Sequence, residues 1–142
     1  LVEELDDGRM DVLVQGRRRI RIVGIHEPED PAADYLRARV AFFDDVEEEA
    51  PRELRDAVLE VFGRMLELMD VESPREPAGE GSLSFRVAAA VDFGAPLKQE
   101  LLESLSEEQR LETLLTVITS LLPRLEVRKE REEAIRGNGK GY

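Results

Sequence analysis

A chain of 142 residues suits one domain or two small subdomains, and none of its apolar runs approaches the roughly 20 residues needed to span a bilayer. A formal net charge of -12 opposes non-specific binding to phosphate backbones, because net repulsion works against counterion release. The absence of cysteine excludes disulfides and thiolate metal sites and is compatible with a reducing compartment. With no signal-peptide pattern visible either, the expected location is the cytoplasm, with no membrane partner.

Residues 1–46 read as β structure. Met10-Asp11-Val12-Leu13-Val14 follows the turn signal Asp6-Asp7-Gly8, and Gly16 breaks the run. Arg19-Ile20-Arg21-Ile22-Val23 alternates polar and apolar residues at period two, as a half-buried strand does. The short connection Gln15-Gly16-Arg17-Arg18 predicts a hairpin between these two runs. Pro28 and Pro31 mark a loop over 27–34. Tyr35 to Phe43 then gives another strand, with Leu36, Ala38, Val40 and Phe42 on one face.

After the acidic run Asp44 to Glu49 the period changes. Leu54, Val58, Val61, Phe62, Met65, Leu68 and Met69 form the apolar stripe of an amphipathic helix, with Pro51 near its first turn. Residues 73–81 hold two prolines and two glycines and form a loop. Ser82 is placed to cap a short helix containing Phe85, Val87, Ala88, Ala89 and Val91, which Gly94-Ala95-Pro96 ends. Leu97 to Leu105 predicts a further short helix. Ser106-Glu107-Glu108-Gln109 opens the last one, whose core stripe runs through Leu111, Leu114, Leu115, Ile118, Leu121, Leu122 and Leu125. Pro123 predicts a kink before the charged segment Arg124 to Arg136, and 137–142 reads as a flexible tail. Strands precede helices without βαβ alternation, which is an α+β arrangement: a β subdomain over 1–46, a helical bundle over 47–136 and the tail.

Several stretches invite a chemical reading. Arg17, Arg18, Arg19 and Arg21 resemble a nucleic-acid patch, but no aromatic residue is interleaved for base stacking, and the alternation makes Arg19 and Arg21 the wet face of a strand. His26 is the only histidine, too few nitrogen ligands for zinc, and reads as polar loop surface. The run 44–49 lacks the glycine-centred spacing of a calcium loop and reads as a solvated linker that complements a helix dipole. Gly-Asn-Gly-Lys-Gly-Tyr at the end lacks the spacing and the flanking elements of a phosphate loop. No nucleophile is set beside a base in any elbow motif, so the expectation is a non-enzyme without metal or cofactor. Of the five phenylalanines, Phe43 and Phe93 fit the apolar stripes least well and are the candidates for exposure and polypeptide contact.

Two separated stretches together resemble a known family. Asp6-Asp7-Gly8-Arg9 through Val12-Leu13-Val14, Gly16 and Arg19-Ile20-Arg21-Ile22 is similar to a segment of the Lon protease N-terminal domain, and Tyr35 to Val40 to its next strand. Leu83 to Ala89, Lys98-Gln99-Glu100-Leu101-Leu102-Glu103 and Gln109-Arg110-Leu111-Glu112 resemble three helix segments of that family. The resemblance implies a PUA-like antiparallel β domain followed by a helical bundle. In the Lon proteases this domain precedes the ATPase and the Ser–Lys protease, and helps to recognise substrates and to assemble the hexamer. Because the sequence opens on Leu1 and closes soon after the bundle, the resemblance leads to the expectation that the family's first β segment and its ATPase and protease segments are missing. A sheet edge is therefore expected to stand unpaired unless a second chain or a rearranged strand covers it.

The resemblance implies a non-catalytic module of protein quality control that binds unfolded or damaged polypeptides or a protein partner, with homo-oligomers compatible. A PUA-like RNA-binding module using Arg17 to Arg21 is the alternative. An adaptor that docks through the Leu111–Leu125 stripe and the Arg124–Arg136 extension is a third.

Overall fold

The protein was analysed as a computed structural model that describes residues 2–4, 8–14, 16–28, 35–46, 48–72 and 76–138. Strands β1 (Val2–Glu4), β2 (Met10–Val12), β3 (Arg19–His26) and β4 (Arg37–Phe43) come first. Helices α1 (Arg52–Leu68), α2 (Leu83–Ala90), α3 (Ala95–Glu103) and α4 (Glu107–Asn138) follow. The fold is α+β. Two compact units meet between Asp44 and Asp45.

In the first unit the predicted hairpin between Met10–Val14 and Arg19–Val23 does not form. Instead β2 pairs antiparallel with β1, and β3 pairs antiparallel with β4. Gly8, at φ +80°, lies in the β1–β2 connection, where a left-handed residue suits the turn. The β3–β4 pairing wins on length. It sets Arg19 opposite Phe43, Ile20 opposite Phe42, Arg21 opposite Ala41 and Ile22 opposite Val40, and it continues to His26 opposite Arg37. The register slips between Ile22 and Gly24, which leaves Val23 as the extra residue of a bulge. His26 is thus the last residue of a strand, not part of a loop.

The second unit is a helical bundle with a conventional core. Val58, Phe62 and Met65 of α1 meet Leu111, Leu114 and Ile118 of α4, with Leu83 and Val87 of α2 and Leu101 of α3 closing the cluster. Burying each large side chain contributes about 1.5–3 kcal/mol relative to exposure. Helix α1 ends in a Schellman arrangement: Val71 N–H donates to the Leu66 carbonyl at 3.0 Å and Asp70 N–H to that of Glu67 at 3.3 Å. Asp70 takes the left-handed position, φ 54°. Lys129 Nζ adds a donor from α4 to the Glu67 carbonyl at 2.7 Å.

One boundary differs from the expectation. Helix α4 continues through Pro123 as one element and reaches Asn138, two residues into the predicted tail; residues 139–142 lie outside the described residues. Pro123 removes the bond to the carbonyl four residues back and crowds that carbonyl, yet the helix, whose preceding turns pack against α1, continues past it.

Candidate functional site

Cross-strand partners share a face of the sheet, so the β3–β4 register sorts every side chain of this two-stranded ribbon. One face holds Ile20, Ile22, Ile25, Ala38, Val40 and Phe42. The other holds Arg19, Arg21, His26, Arg37, Arg39, Ala41 and Phe43. Neither strand contains an acidic residue. The apolar face is not covered: Ile20 is 51%, Ile22 58%, Ile25 63% and Phe42 56% exposed. Isolated apolar residues at a surface need no explanation, but four on one strand pair form a continuous patch. Phe42 therefore stands on an exposed face, with Ile20 opposite it. Alternation identifies which side chains share a face; it does not supply something to cover that face.

Two arginines dress the phenylalanines. The Arg18 guanidinium sits 4.3 Å from the Phe42 ring centroid and pairs with Asp44 at 3.4 Å. Arg21 lies opposite small Ala41 and reaches diagonally over Phe43, 4.7 Å from its centroid.

The helical unit carries a different cluster. Arg110 is fully buried, with five donors and a partner for each. Its Nε donates to Ser84 Oγ at 2.8 Å. Nη1 donates to Asp45 Oδ1 at 2.8 Å and the Ser104 carbonyl at 2.9 Å, and Nη2 to Asp45 Oδ2 at 2.7 Å and Glu107 Oε2 at 2.8 Å. The Phe85 ring packs against the guanidinium at 4.4 Å. Burial opposes the charge, but the hydrogen bonds that Arg110 donates to Asp45 and Glu107, then the charges of those carboxylates, outweigh it and hold the Arg110 pKa above its ordinary value. Glu107 also accepts the Ser84 N–H at 2.9 Å, so a carboxylate from α4 caps the start of α2. Ser82, the expected cap, makes no such bond.

This cluster fastens the chain where it enters the bundle. Asp45 grips Arg110 in a bidentate pair and Val46 N–H donates to the Leu105 carbonyl at 2.9 Å. The acidic run is consequently not all solvated linker. Arg110 falls four residues before Leu114 and eight before Ile118, on the apolar stripe itself, and that misplaced charge was the legible signal for a buried partner. The cluster's polar groups are satisfied by one another, so its work is structural.

The two predicted contact residues lie in different units. Phe43 is half-buried beside Arg21 on the polar face of the ribbon. Phe93 belongs to the other unit and is partly buried against the bundle core. Among the described residues no group of three or more His, Asp or Glu side chains is arranged to hold a metal ion. A cleft of about 410 Å³ on the bundle is lined by Glu49, Arg52, Arg55, Asp56 and Glu76 together with Ala50 and Leu59, so its wall is mostly charged.

A family model described as the ATP-dependent protease La (LON) substrate-binding domain matches residues 1–120. The chain belongs to this Lon substrate-binding domain family. The match spans the ribbon, α1, α2, α3 and the first half of α4, so both the exposed apolar face and the Arg110 cluster lie within it. A substrate-recognition role follows for the family, and no catalytic family is matched. No curated protein matches the chain.

Proposed function

We propose that this Lon-type domain recognises exposed apolar segments of unfolded or damaged proteins and holds them without chemical change, through the face formed by Ile20, Ile22, Ile25 and Phe42. The observation that carries this reading is that these four large side chains are each more than half exposed on a single face. Family membership supports substrate recognition as the role, and the ribbon offers an exposed apolar face for it. Binding is modest in strength, because ordering a flexible partner costs part of the interaction free energy. The surrounding charge keeps the free protein soluble, and a cysteine-free chain suits the reducing conditions of the cytoplasm.

The test is fluorescence anisotropy of a labelled, permanently unfolded polypeptide titrated with the full chain at low and high salt. Saturable binding that persists in salt is expected. The double variant Ile22→Ser/Phe42→Ser should weaken it about tenfold, the equivalent of losing roughly 1.4 kcal/mol of apolar burial. Undiminished binding by that variant would remove the ribbon from the recognition surface.

A further inference from the structure

The ribbon has a second face and open edges, and together they narrow the kind of segment it takes. Among the described residues β3 and β4 form a sheet of two strands only, so each strand presents one unpaired edge. Such an edge is a row of backbone donors and acceptors ready for an added strand. The two edges are not equivalent. Strand β3 carries the bulge at Val23, which twists its edge away from regular pairing, whereas the seven residues of β4 run without a break.

A strand laid along β4 would send alternate side chains to opposite faces. On one side they would extend the apolar surface of Ala38, Val40 and Phe42. On the other they would lie beside Arg37, Arg39 and the Arg21 guanidinium, which already reaches across to β4 over Phe43. Neither Arg21 nor Arg39 is in an ion pair among the described residues. Charge selects in the same direction: in a chain of net charge -12, β3 and β4 carry arginines and no acidic residue, so the ribbon attracts an acidic segment that the chain as a whole repels.

We infer that β4 accepts, as an added strand, an extended polypeptide segment in which acidic and apolar residues alternate. This rests on the proposed recognition role and specifies its substrate class. The occupant is a polypeptide and not an RNA strand, because a polynucleotide would engage only the cationic face and leave Ile20, Ile22 and Phe42 in water.

The experiment uses the full chain and three short labelled peptides: alternating glutamate and valine, alternating lysine and valine, and the first with N-methyl groups along one edge. The Glu/Val peptide should bind about tenfold more tightly than the Lys/Val peptide, with the advantage shrinking in salt. N-methylation should abolish binding, because it removes the edge hydrogen bonds. Arg21→Gln/Arg39→Gln should cut Glu/Val affinity about five- to tenfold while leaving the far-ultraviolet circular dichroism unchanged.

Equal binding of the two charged peptides, both competing with the unfolded polypeptide, would overturn the acidic preference and leave the recognition role standing. Full binding by the N-methylated peptide would overturn strand addition. Failure of every peptide and of the unfolded polypeptide would remove the recognition role as well. Tighter binding of a poly-uridine RNA at the same arginines would assign the face to nucleic acid. A sedimenting dimer broken by Ile22→Ser and insensitive to peptide would assign it to a second copy of the chain.

Discussion

The two units of this chain handle the same raw material in opposite ways. In the bundle, Phe62, Leu111, Leu114 and Ile118 disappear into a core, and even the charge of Arg110 is taken inside with a partner for every donor. In the ribbon, Ile20, Ile22 and Phe42 remain in water although their period-two spacing is that of a half-buried strand. Helices buried the apolar stripe because three neighbours were available to pack on it. A two-stranded sheet has no interior of its own, and a pair of strands is marginal without a third or a covering layer. The difference is one of packing: the bundle buries its apolar residues on itself, whereas the apolar face of the ribbon stays exposed, which is why the proposed recognition role is assigned to the ribbon.

Matched substitutions in the two units test that separation most severely. Phe62→Ala should destabilise the bundle by about 3–5 kcal/mol in urea or guanidinium unfolding, whereas Phe42→Ala should change stability by less than about 1 kcal/mol. A large stability loss from Phe42→Ala would mean that the ribbon's apolar face is buried in solution, and the comparison would collapse.

Arg110→Met addresses the entry to the bundle. It strands Asp45, Glu107 and Ser84 around an apolar side chain, and removal of one partner from a buried pair costs about 3–5 kcal/mol. The same unfolding measurement reads it. A loss near zero would show that the connector residues are held by something other than this cluster.

The smallest effect should come from Lys129→Met at the end of α1. The Lys129 hydrogen bond, then its charge, hold the exposed Asp70 carboxyl below its ordinary pKa. A depressed folded-state pKa contributes stability that is present above the unfolded-state value and is lost as pH falls through the folded one. Wild type should therefore exceed the variant slightly in melting temperature at neutral pH, with the gap narrowing on acidification below the carboxylate range. A gap that widened in acid would reverse the assigned sign.

Local chemistry explains which of these features could be read from the chain. The stripes of α1 and α4 follow from three- and four-residue spacing, and the alternation of Arg19 to Ile22 sorted the residues of β3 by face but not by burial, since Ile20 and Ile22 are exposed. Pairing was harder. A short connection favoured β2 as the partner of β3, yet β4 offers seven residues against three, and that competition is decided by the whole ladder, not by the turn. The Asp45–Arg110 clamp joins residues 65 apart, and no local period reports such a meeting. Phe43 and Phe93 were singled out because they fitted no stripe, but lack of periodicity is not exposure. Phe43 shelters beside Arg21 and Phe93 leans on the core, while Phe42, in perfect register, stands in solvent.

The most direct measurement of the central claim is hydrogen exchange of the full chain with and without a saturating unfolded polypeptide. Bound polypeptide should slow exchange over 19–26 and 37–43, the ribbon strands, and leave the bundle helices at their free rates. Protection confined to 52–138, with the ribbon unchanged, would place recognition on the helices and contradict the account.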